Sequence, residues 1–549
     1  MGSINGIFNI GRLALLAEQA ALSVTSQNIS NVNTPGYSRQ EVVFQTTPSV
    51  TTGSGQMGTG VQATEIRRVV NQFIENQITS EQSGLGQTDV EQSILGRVES
   101  VFNDLQGTGV NQALSDFFSA LQDLANNPQG MTERSALLGR AQSLAQQFNS
   151  TDSQLQQVRT DLNTEIKTDL GTINTLAQQI ADLNKQISQV NLSGQSANDL
   201  QDQRGQLLNQ LSELVNINTF QDNSGMVTVM VANNQPLVEG ITARSLQGTA
   251  DPDNGGFTKV QFDGGGGSLT DISGGIAGGR LKALLDLRDN VVPGYIDQLD
   301  RLSASVVNEV NQLHQSGYGL DGSTGLDFFR PLTPVAAALS TNTGSAAVSV
   351  SINNSANLTF DQYELSFSGG NYTILNVDTG NSTTGAYGGP TVATFEGLDF
   401  NMGAGAVSGD LFRVSAQQGA AGAMDVAVTD PNQIAASATS TGIPGDNSNL
   451  LQMIGLQDKS MAPLGGSTFQ NYYGSMVEGI GTSSQQAQSN FSAQKVVQQQ
   501  LNSMREDVSG VSLDQEMTNL LMYQRAFQAA ARLISVADDV YQTLLDMKK

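Results

Sequence analysis

Cysteine and tryptophan are both absent from the chain, and histidine occurs once, at His314. Without cysteine there is no disulfide staple, no thiolate metal ligand and no Cys nucleophile. That absence fits the cytoplasm, or an exported protein that never meets oxidative folding machinery. One histidine leaves a zinc site to carboxylates, and a Ser-His-Asp triad would have to use that same residue. Its position just before Gly317, at the end of a helical run, favours a structural role on the helix dipole. Basic residues are scarce: 26 Lys plus Arg stand against 51 Asp plus Glu, a net charge of −25. No basic stripe is visible, which excludes a nucleic-acid binder. Charged residues make up only 14 %, so this is not a charge-driven disordered chain. No run of about 18 apolar residues occurs, and no membrane span is expected. Nor does the N-terminus read as a secretory signal: Arg12 is its one early basic residue, and no apolar core precedes a small-residue cleavage site.

What is present is length, glycine and helical periodicity. At 549 residues, several domains and a sizeable core are expected. From Ile4 to Val32 apolar and small residues recur at three and four: Ile7, Ile10, Ala14, Ala17, Ala21, Val24, Asn28 and Asn31, broadened by Leu13, Leu16, Ala20 and Leu22. This heptad-type seam predicts a helix about 43 Å long. Thr34 precedes Pro35 and is biased to extended geometry, so the helix is expected to end there, with Thr34, Pro35, Gly36 and Tyr37 as a hinge. At the other end the row Leu513, Met517, Leu520, Gln524, Phe527, Ala531, Ile534, Asp538, Tyr541, Leu545 alternates four and three. Ser512 and Gln515 before it suit a capping box.

Between the ends, a long helical pattern runs from Leu144 to Val190, and an amphipathic stretch from Leu200 to Leu214 follows Gly194. From Ile217 the period turns toward two, with a hairpin expected at Asn233-Asn234. Helix returns from Arg280 to Leu313, a β-rich block occupies about 331–415, and helix resumes from Asn447. Helical ends around a β-rich middle predict nested domains in an α+β multidomain chain. Paired, coiled-coil-like terminal helices (1–36 and 510–549) enclose a long-helix bundle domain (37–330 and 430–509) with β-hairpin insertions at about 216–280. The bundle in turn encloses a β-rich outer domain (331–429).

The candidate chemical sites are weak. Gly53 to Gly58, "GSGQMG", matches G-x-G-x-x-G, but the residues after it read as strand, so a hairpin loop is expected. Asp321 to Asp327, "DGSTGLD", resembles half a calcium loop, yet Leu332 stands where a bidentate Glu belongs. A looser calcium site stays open there, beside a plain Asp-rich turn. Gly264 to Gly267 lacks the Lys of a phosphate loop. The neighbouring acids Asp538-Asp539 and Glu506-Asp507 do not face one site on a helix. No catalytic residue, cofactor or metal is therefore expected. The terminal seams read instead as contacts between subunits, against the ordinary reading that amphipathic helices pack inside their own domain.

Three stretches carry a resemblance. "ALSVTSQNISNVNTPGYSRQ", Ala21 to Gln40, resembles the N-terminal signature of bacterial flagellar axial proteins, the rod, hook and hook-associated group. "GTGVQATEIRRVVNQFIENQI" resembles the segment that follows it there, and Ser509 to Leu545 resembles their C-terminal helix. Within that group the chain is most similar to the hook-associated protein 1 (FlgK) family. The resemblance implies a structural role at the hook–filament junction and no enzymatic activity. It implies uncleaved export through the flagellar type III apparatus to an extracellular place in the flagellum, and polymerisation as a ring-like layer of a tubular lattice. It further implies contacts with the hook protein and the next hook-associated protein, and an export chaperone on the C-terminal helix. The hook protein or another axial subunit is the nearest alternative, and a secreted glycan- or peptide-acting enzyme or adhesin a more distant one.

Overall fold

The computed structural model describes residues 2–52, 55–102 and 109–547. Its two ends lie side by side. Helix α1 (Gly2–Ser30) packs along the last helix of the chain and against an antiparallel pair of strands, β1 (Gln40–Thr46) and β4 (Val61–Arg68), whose register runs from Gln40 opposite Arg68 to Thr46 opposite Val61. Short strands β2 (Val50–Thr52) and β3 (Gly55–Met57) extend this pair, and Gly53 of the "GSGQMG" stretch lies outside the described residues. The run Val61–Arg68 after it is strand, as the sequence implied.

The helical body is built from α2 (Gln72–Val101), α3 (Val110–Asn126), α4 (Met131–Leu192) and α5 (Asn198–Leu214). At 62 residues, α4 is about 93 Å long and serves as the spine. Its buried row, from Leu137 through Leu144, Phe148, Leu155, Leu162, Ile173 and Ile180 to Ile187, keeps the three-four spacing that the sequence shows. Along its second half lie strands β5–β8 (Ile217–Gln221, Val227–Val231, Gln235–Glu239, Thr242–Ala243) and β9–β11 (Ser245–Ala250, Thr258–Asp263, Leu269–Asp271). The β6–β7 hairpin turns at Asn233 and Asn234, both at positive φ (52° and 58°), a geometry asparagine tolerates well. Helices α6 (Arg280–Asp286) and α7 (Val292–Ser316), joined by a π-helical turn, complete the outward path.

Strands β12–β19 (Val335–Ala338, Val348–Ile352, Gln362–Ser368, Asn371–Asn376, Ser382–Ala386, Thr391–Phe395, Leu398–Met402, Leu411–Ser415) form a five-stranded sheet, order β12-β19-β14-β15-β16, and a three-stranded one, β13-β18-β17. They share a core of Phe360, Tyr363, Leu365, Phe367, Phe400 and Phe412 that also touches Ala304 of α7. Short helix α8 (Ala420–Ala423) already returns to the helical body, where Ala421, Met424 and Val428 join its core. Helices α9 (Ser448–Gly455), α10 (Phe469–Ser509) and α11 (Leu513–Asp546) close the path. The helix expected to run on from Asn447 is therefore broken at 456–468, where Gly465 and Gly466 take positive φ.

Two expectations about the ends need correction. Helix α1 stops at Ser30, not Thr34, because Asn31 turns its Nδ2 back onto the Gln27 carbonyl at 3.0 Å and Thr34 Oγ1 donates to Asn31 Oδ1 at 3.1 Å. The capping box at Ser512 does not form: Ser512 has extended N-cap geometry but makes no side-chain cap bond. The apolar-run criterion also understates α1. An 18-residue stretch within Asn5–Ser30 is apolar enough on average, and the helix long enough, to cross a membrane by length and composition. Single polar residues interrupt the run, and packing on α11 buries only part of the apolar face.

Candidate assembly interface

The corner after α1 is fastened, not loose. Asn28 is buried; its Nδ2 donates to the Gln40 carbonyl at 2.9 Å, and its Oδ1 accepts from Gln40 N at 3.0 Å and Tyr37 Oη at 2.9 Å. One side chain thus ties the last turns of α1 to the first residue of β1. Gly36 sits at φ +77°, which glycine adopts without strain. From below, Gln206 of α5 donates to the Pro35 carbonyl at 2.5 Å. Asp202 accepts from Ser38 N, Ser38 Oγ and Arg68 at 2.7–2.9 Å. Arg505 of α10 donates to the Gly36 carbonyl at 3.0 Å while pairing with Glu75 at 2.8 Å. Burial, with Asp199, Asp202 and Glu516 nearby, pushes the Tyr37 phenol well above its ordinary range, so it stays a neutral donor. Thr34 and Pro35 are exposed at the apex. The stretch read as a hinge from its Pro-Gly pair is therefore a clamped corner.

Along α1 the expected row splits. Ala17, Ala21, Val24 and Asn28 are buried within the single chain; Ile10, Ala14 and Asn31 are half-buried, and Ile7 is exposed. Asn28 is committed to Gln40 and Tyr37 and is not free for a neighbouring copy. On α11 the inward seam is Glu516, Leu520, Tyr523, Phe527, Ala530, Ile534 and Ala537, again alternating four and three. The expected row shares only Leu520, Phe527 and Ile534 with it. Its other members, Leu513, Met517, Gln524, Ala531, Asp538, Tyr541 and Leu545, are exposed. Two heptad columns flank Leu520, Phe527 and Ile534, one residue apart, and periodicity cannot choose between them. Size does. Gly11, Ala17 and Ala21 of α1 are small, and the inward column offers Ala530 and Ala537, so the two backbones approach closely. A Cβ built on Gly11 would lie 2.7 Å from Ile534 Cγ1. Phe44 of β1 meets Tyr523 at 6.4 Å between ring centroids.

The consequence is an outward apolar edge. Leu513, Met517 (51 % exposed) and Leu521 (53 %) form this edge at four-residue spacing, and Val536, Val540, Leu544 and Leu545 are exposed as well toward the end of α11. Arg525 and Arg532 on the same helix form no ion pair among the described residues. Glu18 of α1 has one buried carboxylate oxygen, Oε2, without a hydrogen-bond partner among the described residues, and burial raises its pKa. Burial and the charges of Glu18, Glu516 and Glu41 raise the Tyr523 phenol.

The other candidates fall elsewhere. Asp321 closes a tight turn, accepting from Ser323 N at 2.9 Å and Ser323 Oγ at 2.6 Å. No group of three or more His, Asp or Glu side chains is placed to share a metal ion among the described residues. His314 is not at work on a helix dipole. It is buried, its Nδ1–H donating to the Leu326 carbonyl at 2.6 Å and its Nε2 accepting from Ala435 N at 3.1 Å, so it is a neutral cross-brace. The glycines at 264–267 form a surface loop.

A helical body that carries an inserted β-rich unit and ends in a close-packed helix pair is the architecture of a structural subunit. Comparison with known proteins agrees. Residues 95–329 match the flagellar hook-associated protein FlgK helical domain, residues 8–37 the flagella basal body rod protein family, and residues 507–547 the C-terminal region of the flagellar basal body rod FlgEFG proteins. The chain is 28 % identical to flagellar hook-associated protein 1 of Escherichia coli K12, over 99 % of this chain and 100 % of that one. To the Bacillus subtilis protein of the same name it is 26 % identical, over 97 % and 96 %. It shares its fold with the flagellar hook junction protein FlgK from Burkholderia pseudomallei, at a TM-score of 0.70 and 23 % identity, over 79 % of this chain and 100 % of that one. The chain belongs to the flagellar hook-associated protein FlgK family, and is a structural component of the bacterial flagellum at the hook–filament junction.

Proposed function

We propose that this subunit assembles through the outward edge of its terminal helix pair. It forms a ring-like layer of a tubular lattice, with the hook protein on one side and the next hook-associated protein on the other. The observation that carries this is the run of large apolar side chains left uncovered on α11, Leu513, Met517 and Leu521 foremost. Burying a side chain of this size contributes roughly 1.5–3 kcal/mol, and a second copy supplies the surface that the single chain lacks. The same edge explains a chaperone on α11 before export: an uncovered seam associates prematurely. Export proceeds through the flagellar type III apparatus to the outside of the cell, without cleavage. The role is structural and not catalytic.

The test separates the two columns of α11. Met517→Asp with Leu521→Asp should leave the fold and the inward seam intact while abolishing motility and junction formation. Deleting 510–549 should leave a soluble, folded middle that does not assemble. Normal junctions from either variant would overturn the proposal.

A further inference from the structure

Beneath the Pro35–Ser38 corner lies a cleft of about 510 Å³, bounded by the start of α2, by α5, by β5 and by the end of α10. Three guanidinium groups line it: Arg68, Arg204 and Arg505. Two are neutralised, Arg68 by Asp202 at 2.7 Å and Arg505 by Glu75 at 2.8 Å. Arg204 is not. It is 4 % exposed, and its Nη1 donates to two neutral acceptors, Asn184 Oδ1 at 2.9 Å and the Gly225 carbonyl at 2.6 Å. Its Nε and Nη2 donate to no group of the chain among the described residues. Asp202, two residues earlier on α5, is engaged by Ser38 and Arg68, and Asp222 acts on Arg204 only through its charge, without a hydrogen bond to it. The remaining acid of the lining, Glu506, is exposed. Burial, and then the neighbouring charge of Arg68, lower the Arg204 pKa to about 10. Desolvated charge is unfavourable unless paired, and the fork geometry of arginine suits planar oxyanions.

We propose that this cleft is an oxyanion site, in which Arg204, with Arg68 beside it, receives a carboxylate or an oxyanion of similar size. Two sources carry that chemistry: a free small anion, or an acidic side chain of a second copy, which brings 51 Asp plus Glu against 26 Lys plus Arg.

Calorimetric titration of succinate and of inorganic phosphate into the full-length chain tests the site. One saturable site is expected in the wild type, absent in Arg204→Gln. No saturable binding in the wild type, or equal binding in the folded variant, overturns the proposal. Should Arg204→Gln fail to fold, Arg204→Lys keeps the charge without the fork. It should bind at least about tenfold more weakly, and unchanged affinity would count against the site. Sedimentation distinguishes the sources. If saturating phosphate suppresses self-association of the wild type but not of the variant, a carboxylate of a second copy is the occupant. If association ignores phosphate while the titration saturates, the occupant is a free anion.

Discussion

Asn28 and Gln40 hold each other by both edges: the Asn28 amide gives a hydrogen bond to the Gln40 carbonyl at 2.9 Å and takes one from the Gln40 N–H at 3.0 Å. A buried side chain here acts as a strand partner, letting the chain leave a helix and enter β1 without orphaned backbone groups. Asn28→Ala removes both bonds and the acceptor of Tyr37. An unsatisfied buried donor costs about 1–3 kcal/mol, and we expect a loss of that order, felt locally. Limited proteolysis between residues 31 and 39 should accelerate, and the Gln40 amide should exchange faster. Unchanged exchange at Gln40 would show that the bracket is dispensable.

Close approach of α1 and α11 rests on missing side chains. Gly11→Ala gains up to about 1 kcal/mol in helix propensity, but its new methyl would lie 2.7 Å from Ile534 Cγ1, on a β-branched side chain with little room to move. Overpacking of this kind costs about 1–3 kcal/mol. Gly6 lies on the same helix with nothing within 4 Å of its would-be Cβ. Gly6→Ala should therefore raise the thermal stability of the terminal pair and Gly11→Ala lower it. The opposite order would mean that the helices are farther apart than described.

These details also mark where the sequence was legible. The long rows of α4 and α11, the Asn233-Asn234 hairpin and the nested order of helical and β-rich segments are all readable, because periodicity and turn chemistry are local. Helices α2 and α3, which flank α4 and α10, left a weaker trace. The α2 stretch carries three glycines and many glutamines, and its contact with α10 uses polar pairs such as Gln498 with Gln82 at 2.7 Å. The choice between the columns of Met517 and Glu516 was not readable at all, since it depends on the small residues of a helix nearly 500 positions away. The clamp from Asp202 and Arg505 onto the corner is equally non-local.

Glu18 makes the terminal pair sensitive to pH. Its folded pKa is raised by burial, so its contribution to stability is complete below the unfolded value of about 4.5 and is lost as pH rises through the folded value. Pairing of α1 with α11 should weaken from pH 4.5 toward neutrality, and Glu18→Gln should remove that part of the dependence while stabilising the pair at pH 7. Because other carboxylates titrate in the same range, the quantity to measure is the difference between wild type and variant in thermal unfolding across pH 4.5–7. A flat difference would show that Glu18 carries no such penalty.

His314 responds in the opposite direction. Its imidazole is kept neutral by burial, which lowers its pKa despite the favourable Leu326 carbonyl and Asp327 charge. A depressed pKa contributes stability above the unfolded value of about 6.5, and that stability is lost as pH falls toward the folded value, at up to about 1.4 kcal/mol per pH unit. As the chain's one histidine, it yields a single pair of imidazole nitrogen resonances. These should report the Nδ1–H tautomer and stay neutral to lower pH than a free imidazole does, because Ala435 N–H occupies Nε2. Protonation near pH 6.5 with no loss of stability would mean that the bond from Ala435 is not made in solution.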